Sequence, residues 1–418
     1  MDSRGRRSAV AHAQTSALGT LMLRWRALAA LCLVLVLLSC SRANDEVIRR
    51  VATDEAARPG IAGMLRGDEA GFDRADRPRV FSFPADHGAH PTFRTEWWYF
   101  TGHLAGVNGE RFGFQFTVFR QALGLPAGVP ATAAAGRSAW RADNAWLAHL
   151  AVTDINGQQH WSATRLSRGA LGLAGATASP LAVWVQDWQL AQQLPKSLDQ
   201  RVGVTPWLLR ARNDSGMALD LTLTPAIAPV LHGEGGLSRK GAQAASYYYS
   251  MPRWQVRGSI ATPSHRQPLP ITGTAWLDRE WSTSALAPQQ IGWDWFALRL
   301  RDGRALMLFQ LRRSDGRRDS YDAGSLIAPD GAVQHLTSAD FSLTPEGTWR
   351  DEQQVRWPTR WTLRLRPIAA MPRPLQITIS AEVDDQLMRV GLRYWEGAVR
   401  VSGDAEGEGY LEMTGYRR

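Results

Sequence analysis

From Val80 onward, apolar and polar residues alternate in short runs, and apolar spacing of helical period is scarce. The runs are rich in aromatic residues and are bounded by Asn-Gly, Asp-Gly and Asp-Ser-Gly, the composition of tight turns between antiparallel strands. Residues 101–104, Asn108-Gly109 and residues 112–119 read as strand, turn and strand. Residues 146–154 followed by Asn156-Gly157 open a second hairpin. Residues 208–212, Asp214-Ser215-Gly216 and residues 217–224 form a third. The pattern predicts an all-β chain.

The same order returns further on. Residues 293–300, the turn Asp302-Gly303 and residues 304–312 mirror Trp97-Trp98-Tyr99-Phe100 and its hairpin. Residues 326–335 mirror 150–160, and residues 361–366 with 375–383 mirror the third hairpin. Residues 394–403 mirror 249–258, and residues 409–416 mirror 271–278. Two divergent copies of one β-module are therefore expected, at residues 80–285 and 286–418. About eight antiparallel strands in chain order suit an up-and-down barrel, whose closure removes exposed edges. A sandwich is the alternative.

The first eighty residues follow different rules. Residues 27–38 are 12 consecutive apolar residues, too few for a bilayer span but right for the core of a signal peptide. Arg24 and Arg26 precede them, and Leu37-Leu38-Ser39-Cys40 follows, resembling a bacterial lipobox. Residues 1–39 are thus expected to be a lipoprotein signal peptide, with Cys40 lipidated. Residues 40–79 are charged and poor in aromatics, which predicts a linker. These features predict a protein of the bacterial cell envelope, anchored to the membrane through Cys40 and facing the periplasm.

Composition narrows the chemistry. The 418 residues carry a net charge of +9, but only two of the 48 basic residues are lysine and no long basic run occurs. Nucleic-acid binding is not expected. Two cysteines exclude a disulfide framework or a multi-cysteine metal site. His87 and His90 sit in a Pro- and Gly-punctuated stretch without helical spacing and read as a cap or gate over a barrel. No cofactor or metal is expected. A Gly-x-Ser-x-Gly elbow is missing, and His232-Gly-Glu-Gly-Gly236 lacks the Lys and helix of a phosphate loop.

The 18 Trp stand out. Several cluster beside carboxylates. In a strand, residues i and i+2 share a face, so Trp276, Asp278 and Glu280 are expected to point one way, and Leu277, Arg279 and Trp281 the other. An Asp held beside indole rings has its acidity weakened by desolvation and can serve as a proton donor. Asp278 is the first candidate acid, with Glu280 and Glu96 beside it; a structural ion pair is the competing reading. An apolar cavity facing Asp278, with no Arg partner, would favour catalysis. Trp97, Tyr99, His103, Tyr247, Tyr249, Trp276 and Trp281 are the candidate ligand-binding residues.

These segments together resemble a known family. The stretch Phe83-Pro-Ala-Asp-His-Gly-Ala-His90, leading to Thr95-Glu-Trp-Trp-Tyr-Phe-Thr-Gly-His-Leu104, carries most of the likeness. Residues 231–241, Ser246-Tyr-Tyr-Tyr-Ser250, Trp276 to Trp281 and residues 394–401 complete it. The chain resembles the AttH-like lipocalin-type proteins, often labelled secreted hydrolases and related to carotenoid 1,2-hydratases. That resemblance implies two lipocalin-like antiparallel β-barrels in tandem, behind the signal peptide and linker. It implies a hydrophobic ligand of lipid or isoprenoid type, and a lipoprotein-releasing-type ABC transporter as partner. In the hydratase branch an Asp in a Tyr-x-Asp setting protonates a carbon–carbon double bond. Asp278 matches it, with Trp276 in place of the Tyr, and the branch's His-x-Trp pair is absent from residues 247–249. Two functions follow as expectations: an envelope lipoprotein binding a hydrophobic ligand, or a hydratase or hydrolase acting on such a ligand by general acid catalysis.

Overall fold

The computed structural model describes residues 69–124, 142–193 and 205–417. The expected signal peptide, Cys40 and most of the expected linker lie outside them. The described residues belong to one unit by contact, Pro59–Arg418. Among them every element is a strand apart from two 3-10 turns, Ala85–His87 and Ala170–Gly172.

The strands form two antiparallel sheets of thirteen and ten strands. Edge to edge, the first runs Gln159–Arg168, Asn144–Asp154, Arg111–Ala122, Thr95–Gly106, Leu269–Ser284, Ala245–Ala261, Ala218–Pro225, Trp207–Arg212, Trp188–Gln192, Leu181–Val185 and Ala174–Ala178. The second runs Val333–Thr337, Ala323–Ile327, Ala305–Arg313, Gln290–Leu300, Gly407–Met413, Arg393–Gly403, Leu375–Ala381, Arg356–Leu365 and Phe341–Arg350. Each begins with a four-strand meander, and each brings its last strand back to pair with its first. Short strands, Val230–Leu231 and Leu237–Arg239 in one sheet and Leu387–Arg389 in the other, attach to the penultimate strand. This shared order is the repeat read from the sequence.

The strand counts exceed the expected eight. In the first sheet much of the surplus is the meander from Ala174 to Gln192. Among the described residues no backbone ladder joins the outermost strands of that sheet. Side chains span the gap instead: Gln186 Nε2 donates to the Leu166 carbonyl at 3.1 Å, and Arg165 reaches Asp187 at 3.4 Å. The first sheet thus curls into a barrel that is stitched rather than fully hydrogen-bonded.

Each sheet wraps an apolar core, with Trp98, Phe100, Trp254 and Leu277 in the first and Phe296, Trp361, Trp395 and Leu411 in the second. A third cluster lies between the sheets: Tyr99, Tyr248 and Trp276 from one side meet Trp295, Phe309 and Tyr410 from the other. The central strands are therefore buried on both faces. Close approach needs a gap in the side-chain layer, and Gly113 supplies it: a Cβ there would sit 2.7 Å from the Tyr410 hydroxyl and 2.8 Å from Ala398 Cβ. Polar links also cross the junction. Arg111 reaches Glu382 at 2.6 Å, and Thr153 Oγ1 donates to Gln386 Oε1 at 2.9 Å.

Candidate active site between the two sheets

Alternation decides what faces the junction. In the first sheet Tyr99 pairs with Asp278 and Trp97 with Glu280, while Ser250 and Tyr248 lie opposite the same two carboxylates on the other flank. In the second sheet Trp295 pairs with Glu412, Glu396 pairs with Glu412, and Phe309 lies opposite Trp295. All point into the space between the sheets. There all of these but Ser250 enclose a cavity with Phe119, Lys240, Leu311 and Tyr394; the cavity itself holds about 70 Å³, and about 750 Å³ when its open mouth is counted. Trp97, Leu286, Trp293 and Glu412 are only half-buried and mark the open side.

Asp278 is 3% exposed. Its Oδ1 accepts from Ser250 Oγ and from Trp276 Nε1 at 2.6 Å, and its Oδ2 accepts from the Tyr248 hydroxyl at 2.5 Å. The Tyr248 hydroxyl itself accepts from Trp295 Nε1 at 3.0 Å, so the second sheet helps to aim it. Desolvation pushes the Asp278 carboxyl up to about 7, against the three hydrogen bonds and with help from the Glu280 charge. No arginine or lysine pairs with it among the described residues.

The other carboxyls divide by partner. Glu280 Oε1 accepts from Lys240 Nζ and from Ser246 Oγ, which makes it half of a buried ion pair. Glu396 and Glu412 lie directly opposite one another, with no cation beside them among the described residues. Burial raises both. The Glu412 charge adds to the effect on Glu396, and the Asp278 and Glu280 charges add to that on Glu412. Two facing carboxyls in such a place share protons rather than both ionising. The Tyr99 and Tyr394 hydroxyls lie beside Glu396, yet neither Glu396 oxygen has a hydrogen bond of ordinary geometry among the described residues. A buried carboxyl left in that state faces whatever enters the cavity.

Of the residues singled out from the sequence, Asp278, Glu280, Trp97 and Tyr99 line the cavity, and Trp276 stands behind Asp278. The others lie elsewhere. Glu96 is one residue from Trp97 and so takes the opposite face, inside the first sheet. There it binds Arg120, and Arg279 Nη2 donates to it at 2.5 Å. Burial would raise Glu96, but Arg279 and Arg120 outweigh it and hold the carboxyl well below its ordinary range. This is a structural ion cluster, unsuited to donating protons. Trp281 shares that interior and stacks on His90 at 3.7 Å. The Tyr249 hydroxyl meets His87 Nδ1 at 2.7 Å, and the Tyr247 hydroxyl donates to the Arg77 carbonyl at 2.9 Å. The residues around His87 and His90 thus cap the first barrel. His103 joins the sheets away from the cavity, with Nε2 2.8 Å from the Gly409 carbonyl.

Tyr248, Ser250, Lys240, Tyr394, Glu396 and Glu412 escaped the sequence reading. The strand pairing puts Glu412 and Glu396 in the places of the second sheet that Asp278 and Ser250 hold in the first, whereas the repeat read from the sequence sets 409–416 against 271–278 and so aligns Glu412 with Thr274 instead. Among the described residues no group of three His, Cys, Asp or Glu side chains is placed to hold a metal ion.

The AttH-like family model matches residues 74–416. A crystal structure of an AttH from Nitrosomonas europaea is 32% identical, covers 83% of this chain and all of its own, and superposes with a TM-score of 0.69. Kievitone hydratase from Nectria haematococca shares the fold at 14% identity, over 82% of this chain and 96% of its own, with a TM-score of 0.59. No curated protein matches the sequence. With a family match over most of its length and a relative of the same architecture, the chain belongs to the AttH-like family.

Proposed function

We propose that the cavity between the sheets takes up an apolar, unsaturated molecule of lipid or isoprenoid type and hydrates it by proton transfer from Asp278. The observation that carries this reading is a buried carboxyl, raised to about 7, held by three neutral donors and facing an aromatic cavity without a cation partner. An acid poised near neutral pH is matched to proton transfer. In the step, the alkene π pair takes the Asp278 proton and forms a C–H bond. Water then bonds to the resulting cation and gives up its proton to a carboxylate, for which the Glu396–Glu412 pair is available across the cavity. The net change is addition of one water; elimination is the same path reversed. That a hydratase shares the fold supports only the architecture.

The test is a panel of isoprenoid polyenes incubated with the protein in heavy-oxygen water and read by mass spectrometry. Label is expected in product from the parent protein and absent with Asp278→Asn. If panel members quench the cavity tryptophans but no label enters with the parent, the protein binds such ligands without turnover.

The envelope assignment rests on sequence. We propose a periplasm-facing lipoprotein tethered by Cys40, with a lipoprotein-releasing-type ABC transporter as partner. Radioactive palmitate is expected to label the parent and not Cys40→Ser; equal labelling would overturn the anchor.

A further inference from the structure

Asp278 is tied to solvent by a route that does not pass through the cavity. Its Oδ1 accepts from Ser250 Oγ, and Ser250 Oγ lies 2.6 Å from His232 Nε2. On the other side of the ring, His232 Nδ1 lies 2.9 Å from Ser325 Oγ. Ser325 Oγ in turn lies 3.4 Å from Nδ1 of His335, its partner on the neighbouring strand, and His335 is exposed. None of Ser250, His232, Ser325 and His335 lines the cavity. The chain starts on the first sheet, crosses the junction through one imidazole and ends on the outer surface of the second.

We infer that Ser250, His232, Ser325 and His335 form a proton relay that recharges the Asp278 carboxyl from solvent. This rests on the proposal that Asp278 is the proton donor. A relay needs groups that donate on one side and accept on the other, which two hydroxyls and a neutral imidazole do. Burial, with the His335 and Lys240 charges, holds His232 well below its ordinary range and so keeps it neutral. Tyr248 packs against its ring at 4.4 Å and brings no charge.

The balance closes. When Asp278 has given up its proton, Ser250 passes its hydroxyl proton to Oδ1 and takes one from His232 Nε2. His232 Nδ1 takes the Ser325 hydroxyl proton, and Ser325 takes one from His335 Nδ1. His335 regains a proton from water at Nε2. Asp278 ends protonated, both serines end as they began, each imidazole ends as its other neutral tautomer and must return to the first before the next cycle, and no electrons change hands. The backbone fixes the crossing residue. Gly233 follows His232 at φ +67°, and a Cβ there would lie 2.2 Å from the Leu237 carbonyl oxygen, so only glycine fits this turn. The glycine-rich stretch after His232 therefore serves to place an imidazole.

The experiment is a rapid pH jump from about 9 to about 6 on the full chain, following the infrared band of the protonated carboxyl that Asp278→Asn removes. The relay predicts that His232→Gln and Ser325→Ala slow the appearance of that band by about tenfold or more. His335→Gln, which changes an exposed residue and leaves the core intact, should slow it in the same direction. If the band forms at the parent rate in Ser325→Ala and His335→Gln, the relay is wrong while Asp278 remains an acid. If the parent has no band that Asp278→Asn removes, the acid assignment itself fails and the relay falls with it.

Discussion

Ionising Asp278 in the folded chain puts a charge among rings, and the chain bears that cost. Its folded value, about 7, lies above the roughly 3.9 of an unfolded aspartate. Its contribution to stability is then complete below the unfolded value and is lost as pH rises through 7. Asp278→Asn removes the penalty. We expect the variant to gain on the parent in urea unfolding between pH 4 and pH 8, by up to about 4 kcal/mol. A parent that matches the variant at pH 8 would show the carboxyl to be content in its site. Glu96 has the opposite sign. Its folded value is depressed, so its contribution is present above about 4.3 and is lost as pH falls. Glu96→Gln strands two buried guanidinium groups and should cost about 3–5 kcal/mol at pH 7, a gap that narrows in acid. Equal melting of parent and variant at pH 7 would contradict this.

The strand Thr95–Gly106 carries both chemistries on opposite faces. Trp98 is 1% exposed, lies in the first core and donates to the His87 carbonyl at 2.8 Å, so it holds the cap. Trp98→Ala should cost about 3–5 kcal/mol, as other buried Trp truncations do. Trp97 is half-buried at the cavity; Trp97→Ala should cost less in calorimetry and show instead in ligand affinity. A larger loss for Trp97 would reverse the two faces. How much of this was readable in advance depends on the strand. Within one strand, period two is enough: the split between Asp278 with Glu280 and Arg279 with Trp281 follows from the sequence. Between strands it is not. The sequence reading picks Tyr247 and Tyr249 and passes over Tyr248, and only the register with Leu269–Ser284, shifted by an irregularity between Ala245 and Tyr247, shows which hydroxyl meets Asp278. Glu96 was misjudged because its partners Arg120 and Arg279 are distant in sequence. The cavity itself lies between two modules, whereas a barrel reading looks for a site inside one.

The two sheets meet as near-copies, each offering its first, second, last and penultimate strands to the other. Gly113 permits that contact, and Gly113→Val forces a side chain into the Tyr410 hydroxyl and Ala398. We expect a loss of about 1–3 kcal/mol together with easier quenching of the cavity tryptophans by iodide; unchanged quenching would mean that the contact does not set the width of the cavity. The junction also gives the acidity of Asp278 a history. Trp295 and Phe309, which help to dry the cavity, and Glu412, which faces it, all come from residues after 290. A growing chain that has delivered only its first sheet has Tyr248, Ser250 and Trp276 around Asp278 but not the cover that Trp295, Phe309 and Glu412 supply. The enclosure of the proposed proton donor is therefore complete only when the last strand, Gly407–Met413, is in place. A chain cut short before that strand would keep Asp278 and lose part of the enclosure that raises it, so on the proposed reading the docking of the second sheet finishes the site.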